Sequence, residues 1–328
     1  MDDTIRWGIL GTGNIAHQFA KGLKSASGAM LVAVGSRTQK SADRFGKKYK
    51  VPNCHASYEL LMQDPEVDVI YIATPHPLHK NNAIGCLENG KAVLCEKPFA
   101  INRKEAEEVV ACARSKKLFI MEAMWTRFLP TLVKTREWLE EGLIGLPRMV
   151  RSDFGFRAEY EEESRLFEHK MGGGGLLDVG IYSISLAAMV LGTHPEKIVS
   201  LATIGKTGID EQNTVNFSYP NGAIAMTASA VRTNTPQDTH IIGEKGSIYL
   251  HSPFWQGTTV TLNIEGKAPE IMEFPITGNG YNYEAEAVMA CMRAGKTECE
   301  IMPLDDTIAI MDIMDIARSQ WNLKYPME

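Results

Sequence analysis

A chain of 328 residues is about twice the roughly 150 of a typical domain, so two domains are expected and a peptide hormone or small disulfide module is excluded. Hydrophobic residues at 44% and charged residues at 23% supply enough apolar surface for substantial cores and exclude global disorder. With 34 Lys plus Arg against 40 Asp plus Glu, the net charge of -6 leaves no counterion-release footprint for nucleic acid.

The first 120 or so residues alternate short apolar runs with helical periodicity. Runs at 5–10, 30–34, 67–72, 92–94 and 119–121 read as buried parallel strands. Between them, 15–23, 40–49, 78–89 and 104–115 read as helices, the last opened by Asn102 with Glu105 three residues later, a capping-box arrangement. This rhythm predicts a doubly wound parallel sheet, a Rossmann-type domain over residues 1–123. Past Ala123 the pattern changes to a helix at 129–141, a strand at 149–156 and a helix at 177–191. Strand candidates then follow from 197 to 274, among them 199–204, 214–219, 223–230 and 258–264, with turn signals at Asn221-Gly222 and Lys245-Gly246. Helices at 283–293 and 304–321 close an α+β domain over residues 124–328, built on an open, mostly antiparallel sheet and expected to bind substrate and to oligomerise.

Six cysteines without C-x-x-C or metal-ligand spacing read as reduced core residues, which points to the cytoplasm and to no bound metal. The acidic start at Met1, Asp2 and Asp3 is the wrong opening for a secretory signal, and the apolar run 181–191 is too short to span a bilayer. The Asn216-Phe217-Ser218 glycosylation triplet carries no meaning without secretion.

Directly after the first strand stands Gly11-Thr12-Gly13-Asn14-Ile15-Ala16, a G-x-G-x-x-A spacing that opens a helix. Gly11 allows the tight turn, Gly13 lets the backbone reach a pyrophosphate, and Ala16 keeps helix and strand close. At the end of the second strand, where an acidic residue would take an NAD ribose, stand Ser36, Arg37 and Thr38. A planar guanidinium with flanking hydroxyls and no carboxylate favours NADP over NAD, although Arg37 at a helix start is also compatible with plain solvation.

Two further segments carry chemistry. Strand 92–94 ends in Cys95-Glu96-Lys97-Pro98, which aims Lys97 at the carboxyl end of the sheet, where it can donate to a substrate oxygen and stabilise an adjacent anion. The Gly172-Gly173-Gly174-Gly175 run leads into Leu176-Leu177-Asp178-Val179-Gly180-Ile181-Tyr182, placing a carboxylate and a phenol four residues apart on one helical face. Alcohol oxidation needs a base for the hydroxyl proton, and a phenol of pKa near 10 becomes useful when an ammonium lowers that value, so Lys97 and Tyr182 form a candidate pair. In isolation the same segment also reads as a flexible glycine loop, a helix cap and a core tyrosine.

Through Gly11 to Ala16, Glu96-Lys97-Pro98 and the segment from Gly172 to Tyr182, in order and across nearly the whole chain, the sequence resembles the Gfo/Idh/MocA oxidoreductase family. Tyr182, where many members carry histidine, and Glu122-Ala123-Met124-Trp125-Thr126-Arg127-Phe128 resemble its branch of dimeric dihydrodiol dehydrogenases and NADP-dependent D-xylose dehydrogenases. The resemblance implies Tyr182 as the proton-transfer residue, Lys97 as the group that tunes it and holds the substrate oxygen, and Asp178 as an orienting carboxylate. Thr74, Pro75 and His76 stand where the family often has T-P-N, which puts His76 near the nicotinamide ribose. His79, in the first turn of the next helix, and Glu96 join the cofactor side without a catalytic role.

Trp125, Phe154 and Trp255 are candidate faces for a sugar ring or cyclic diol, with Phe128 and Phe254 as further aromatics and Arg127, Arg148 or Arg157 to meet hydroxyls. For most of these, core packing is the competing role. The implied activity is NADP-dependent hydride transfer from a sugar or trans-dihydrodiol. A keto- or anhydrosugar reductase and a non-catalytic NADP-sensing regulator are the alternatives, the latter disfavoured by the presence of both Lys97 and Tyr182. The resemblance also suggests a homodimer formed through the second domain's sheet.

Overall fold

The computed structural model describes residues 4–328, so the acidic start at Met1, Asp2 and Asp3 lies outside the described residues. Two compact units divide the chain: Met1–Ala100, Lys104–Phe128 and Thr277–Thr307 form one, and Ile101–Arg103, Leu129–Ile276 and Ile308–Glu328 the other. The sequence division at residue 123 assigned everything after it to one domain, whereas 277–307 packs with the first unit, because the helix it contains lies against that unit's first helix.

The first unit contains β1 (Ile5–Leu10), α1 (Asn14–Leu23), β2 (Ala29–Gly35), α2 (Gln39–Tyr49), β3 (Asn53–His55), α3 (Tyr58–Met62), β4 (Val69–Ile72), α4 (His79–Glu88), β5 (Ala92–Glu96), α5 (Arg103–Lys116) and β6 (Ile120–Ala123). Its strands pair in parallel in the order β3-β2-β1-β4-β5-β6. The chain therefore reverses direction across the sheet between β1 and β4, the switch point at which such sheets bind ligands. Every residue of β4, β5 and β6 is buried, as continuous apolar runs covered on both faces should be. The short β3 and α3 carry too few periodic positions to stand out in the sequence.

The second unit begins with α6 (Pro130–Glu140), β7 (Pro147–Gly155) and α7 (Ile181–Leu191). There follow β8 (Lys197–Ile204), β9 (Asp210–Ser218), β10 (Ile224–Ala230), β11 (Thr239–Gly243), β12 (Gly246–Leu250), β13 (Thr259–Ile264) and β14 (Glu270–Glu273). After them come α8 (Tyr281–Arg293), which belongs to the first unit, and α9 (Leu304–Gln320). The eight strands run β14-β13-β12-β11-β7-β10-β9-β8 and pair antiparallel except β7 with β10. The Lys245-Gly246 turn joins β11 to β12.

One face of this sheet buries Val150, Val215, Phe217, Ala225, Ile241 and Ile248, with α7 packed on β7 and β10. The other leaves Val199, Ile224, Ile242 and Ile271 exposed, and Leu201 is 75% exposed. Successive strand residues point to opposite faces, so this split follows from the alternating pattern.

The helix expected at 177–191 is instead a five-residue π-helical turn, Leu176–Gly180, running into α7. Counted with the short turn at His169–Met171 and the non-helical residues 172–174 between them, His169–Leu191 is a segment of 23 residues that is apolar and long enough to cross a membrane, unlike the eleven-residue run visible in the sequence. In its most apolar window 83% of the residues are buried inside the protein, as for the core helix of a unit. All six cysteines are free thiols.

Candidate active site

In the first unit, the β1–α1 turn is as tight as its glycines predict. Gly11 sits at φ 107°, and a Cβ there would fall 2.9 Å from the carbonyl oxygen of Ala73, so the turn excludes any side chain. Gly13 differs: its φ is -76°, and a Cβ there would meet nothing within 4 Å. Gly13 is therefore dispensable for packing, and the space it leaves lies over the first amides of α1 at Asn14 and Ile15, the kind of place a pyrophosphate takes. Ala16 is fully buried between helix and sheet.

Thr12 Oγ1 and Ser36 Oγ lie 3.3 Å apart and join the turns after β1 and β2. Arg37 is exposed at the start of α2, with no carboxylate beside it in sequence. Thr38 departs from the expected role, because its hydroxyl accepts Ser41 N–H at 3.3 Å and donates to Ser41 Oγ at 3.0 Å, so it serves as the N-cap of α2.

Beyond β4, Thr74 is buried and its Oγ1 accepts from Asn82 Nδ2 at 2.9 Å. Pro75 opens a short turn holding His76, which is buried with its ring edge-on to His79. His79 is fully enclosed, and its two ring nitrogens lie 2.8 Å from the Pro98 carbonyl and 2.7 Å from the Thr74 carbonyl. A zero-exposure ring cannot touch a cofactor directly. Its place is behind the site, tying the loop after β4 to the loop after β5.

Lys97 follows β5, half-buried, with its backbone N–H donating to Glu96 Oε2 at 3.2 Å. The other oxygen of the buried Glu96 accepts from the hydroxyl of Tyr71, which stacks on Phe19 with centroids 3.7 Å apart. Sequence reasoning missed this underlayer. Glu284 of α8 is fully buried, neither of its oxygens has a hydrogen-bond partner among the described residues, and burial, with the Glu96 charge adding to it, pushes its carboxyl well above the usual carboxylate range. Glu122 accepts from Phe99 N–H at 3.1 Å and Thr307 Oγ1 at 3.0 Å, and burial pushes its carboxyl up to about 7.

Trp125 is buried and stacks on Tyr281, with centroids 4.6 Å apart at 12°. Arg127 was a candidate substrate residue, but its guanidinium is buried and bonded to Asp306 Oδ2 at 2.8 Å and to the Ile301 carbonyl at 3.0 Å. Those contacts hold the end of the first unit together and account for the residue without a substrate.

In the second unit, Asp178 and Tyr182 are both buried on the π turn and the first turn of α7. A π turn inside an α-helix is a recurring mark of a functional site. Asp178 Oδ1 accepts from Arg165 Nη2 at 2.9 Å, an ion pair the sequence did not reveal because Arg165 lies in an irregular segment. The Tyr182 ring lies 5.5 Å from Phe154, which stacks on Trp255 at 4.8 Å and 6°. Trp255 Nε1 donates to Gln237 Oε1 at 2.9 Å, fixing the outer ring. The phenol thus has an ordered aromatic wall, and two of its members, Phe154 and Trp255, were expected. Phe254 is fully buried in the core, and Arg148 pairs with Glu244 and the Asn221 carbonyl.

Family comparison agrees with both units. The profile of the Gfo/Idh/MocA oxidoreductase family with an NAD-binding Rossmann fold matches residues 5–124, and that of the Gfo/Idh/MocA C-terminal domain matches residues 132–249. The chain is 38% identical to the trans-1,2-dihydrobenzene-1,2-diol dehydrogenase of Mus musculus and 36% identical to that of Homo sapiens, in each case over 99% of this chain and 99% of the relative. Among solved structures, the aldose-aldose oxidoreductase of Caulobacter crescentus complexed with glycerol superposes with a TM-score of 0.88 at 22% identity, covering 96% of this chain and 97% of that one. A 3-ketoreductase from Actinomadura kijaniata, crystallised with NADP and TDP-benzene, gives 0.86 at 22% identity with the same coverage.

Proposed function

Given that this chain belongs to the Gfo/Idh/MocA family of oxidoreductases, we propose that it is an NADP-dependent dehydrogenase of a neutral trans-dihydrodiol or aldose. The observation that carries the reading is the buried Asp178–Tyr182 pair on a π turn, with the phenol against the stacked Phe154 and Trp255 rings. Flat apolar rings of this kind match the face of a cyclic diol or pyranose, which presents C–H groups to an aromatic surface and hydroxyls at its rim.

The roles follow from the chemistry. Bound NADP supplies the hydride acceptor. Tyr182 acts as the phenolate, taking the substrate's O–H proton to become the phenol as hydride passes from the carbinol carbon to the cofactor, and the Lys97 ammonium stabilises the negative charge developing on the substrate oxygen. Asp178, held by Arg165, orients the reacting hydroxyl. Trp125 completes the substrate contacts. Gly11, Thr12, Gly13, Asn14 and Ile15 cradle the pyrophosphate, while Ser36 and Arg37 take the 2′-phosphate, a planar fork suited to a dianion. Thr74, Pro75, His76 and Glu96 line or brace the nicotinamide end.

Free thiols fit a reducing compartment, so the cytoplasm is the proposed location. The exposed apolar face of the eight-stranded sheet supports a homodimer formed through it, which light scattering would read directly.

The test of the function is reduced-nicotinamide absorbance with NADP or NAD against D-xylose, D-glucose and a cyclic trans-diol. Turnover with NADP is expected. Lys97→Met and Tyr182→Phe should each lower kcat at least ~100-fold while NADPH binding stays intact, and full turnover in either variant refutes the assigned roles.

A further inference from the structure

The glycine segment that leads into Asp178 is held by residues far along the chain. Asp210, the first residue of β9, is fully buried, and its Oδ2 accepts from Leu176 N–H and from Asn213 Nδ2, each at 2.7 Å. Asn213 Nδ2 also donates to Ser229 Oγ on β10 at 2.7 Å. These three side chains make a short polar row on the buried face of the sheet.

The turn lies directly on that row. A Cβ on Gly174, at φ 118°, would fall 2.2 Å from Asp210 Oδ1, and one on Gly180 would fall 2.8 Å from Ser229 Oγ. From the opposite end of the chain, Tyr325 Oη donates to the Gly173 carbonyl at 2.7 Å. The glycines therefore permit contact with a platform. Leu176 N–H is one of the amides that a helix start leaves without a partner inside the helix, and a carboxylate is the strong acceptor for it. Burial pushes the Asp210 carboxyl up to about 7, a costly choice for a residue that only fills space.

From this geometry we infer that Asp210 is a positioning residue: through Leu176 N–H it sets the depth and rotation of the Leu176–Gly180 turn and so the placement of Asp178 and Tyr182. Asn213 and Ser229 hold the carboxylate in that orientation. The inference rests on the proposed roles of Asp178 and Tyr182. Both side chains lie within six residues of Leu176 on one continuous helical run, so a shift at Leu176 moves them together. A displacement of about 1 Å at reacting groups costs on the order of 100-fold in rate.

The experiment compares Asp210→Ala, Asp210→Asn and Asn213→Ala in the full-length protein. Alanine removes the acceptor for Leu176 N–H, whereas the amide oxygen of Asp210→Asn can stand in the place of Oδ2 and accept from both Leu176 N–H and Asn213 Nδ2. The expected result is a kcat at least ~10-fold lower in Asp210→Ala with the KM for NADP unchanged, faster amide hydrogen exchange over residues 172–182, and both readouts close to wild type in Asp210→Asn. Asn213→Ala, which leaves the carboxylate in place but unsupported, should move both readouts in the same direction as Asp210→Ala by less, and it stands as the test should Asp210→Ala fail to fold. Wild-type kcat and exchange in both alanine variants overturn the inference, as does a lost kcat with wild-type exchange. Tyr182→Phe separates the two claims: if it keeps turnover, the proposed function falls, whereas the exchange data on Asp210 are read without turnover.

Discussion

Replacing Glu122 by Gln should change how the protein's stability depends on pH. The carboxyl is fully enclosed and shifted by burial from 4.5 to about 7, with the Phe99 amide, the Thr307 hydroxyl and the Arg127 charge opposing the shift. A folded-state value above the unfolded one means that between these two pH values the folded chain binds a proton the unfolded chain has lost. The contribution is then fully present below about pH 4.5, declines as pH rises, and is gone above about pH 7. A difference of about 2.5 units at 1.36 kcal/mol each is roughly 3 kcal/mol, lost at up to ~1.4 kcal/mol per pH unit. Glutamine keeps the shape, an acceptor for Phe99 N–H and a group that can pair with the Thr307 hydroxyl, but does not titrate. Urea midpoints at about pH 5.5, 6.5, 7.5 and 8.5 would therefore converge at the acid end, with the variant the more stable by roughly 1–3 kcal/mol at the alkaline end. Parallel curves for the two proteins would refute the assignment of a buried titrating carboxyl at this position.

Three further outcomes follow from the geometry. Gly13→Ala meets no protein atom and should leave the urea midpoint unchanged while weakening NADPH binding by fluorescence titration, whereas Gly11→Ala, forced to φ 107° against the Ala73 carbonyl, should cost about 1–3 kcal/mol of stability. Arg37→Gln should raise the KM for NADP by about 10–100-fold and leave that for NAD nearly unchanged, and an equal effect on both would remove the 2′-phosphate assignment. Arg127→Leu strips a buried cation from Asp306 and the Ile301 carbonyl and should cost roughly 3–5 kcal/mol in chemical denaturation, with substrate KM little altered in the folded fraction. A selective rise in substrate KM at full stability would instead return Arg127 to the substrate.

The sequence by itself determined the two layers of this protein, because their signals are local. Apolar runs bounded by turns marked the parallel strands, β1 among them residue for residue, and G-x-G-x-x-A marked the tight turn at Gly11 between β1 and α1. Lys97, Asp178 and Tyr182 stand out in the sequence as candidates because each lies in a short motif whose chemistry is uncommon outside a site. What only the tertiary structure decided depends on contacts between distant segments. Arg127 and Thr38 were read as ligand-facing from their motif neighbours, yet Asp306 lies 179 residues from Arg127, and the Thr38 hydroxyl caps its own helix. The π turn differs from an α-helix only in its hydrogen-bond register, which periodicity over five residues cannot resolve. Glu284 and Asp210 look like ordinary charged residues in helix and strand patterns. Their burial follows from where α8 and β9 pack, and no local pattern encodes that position.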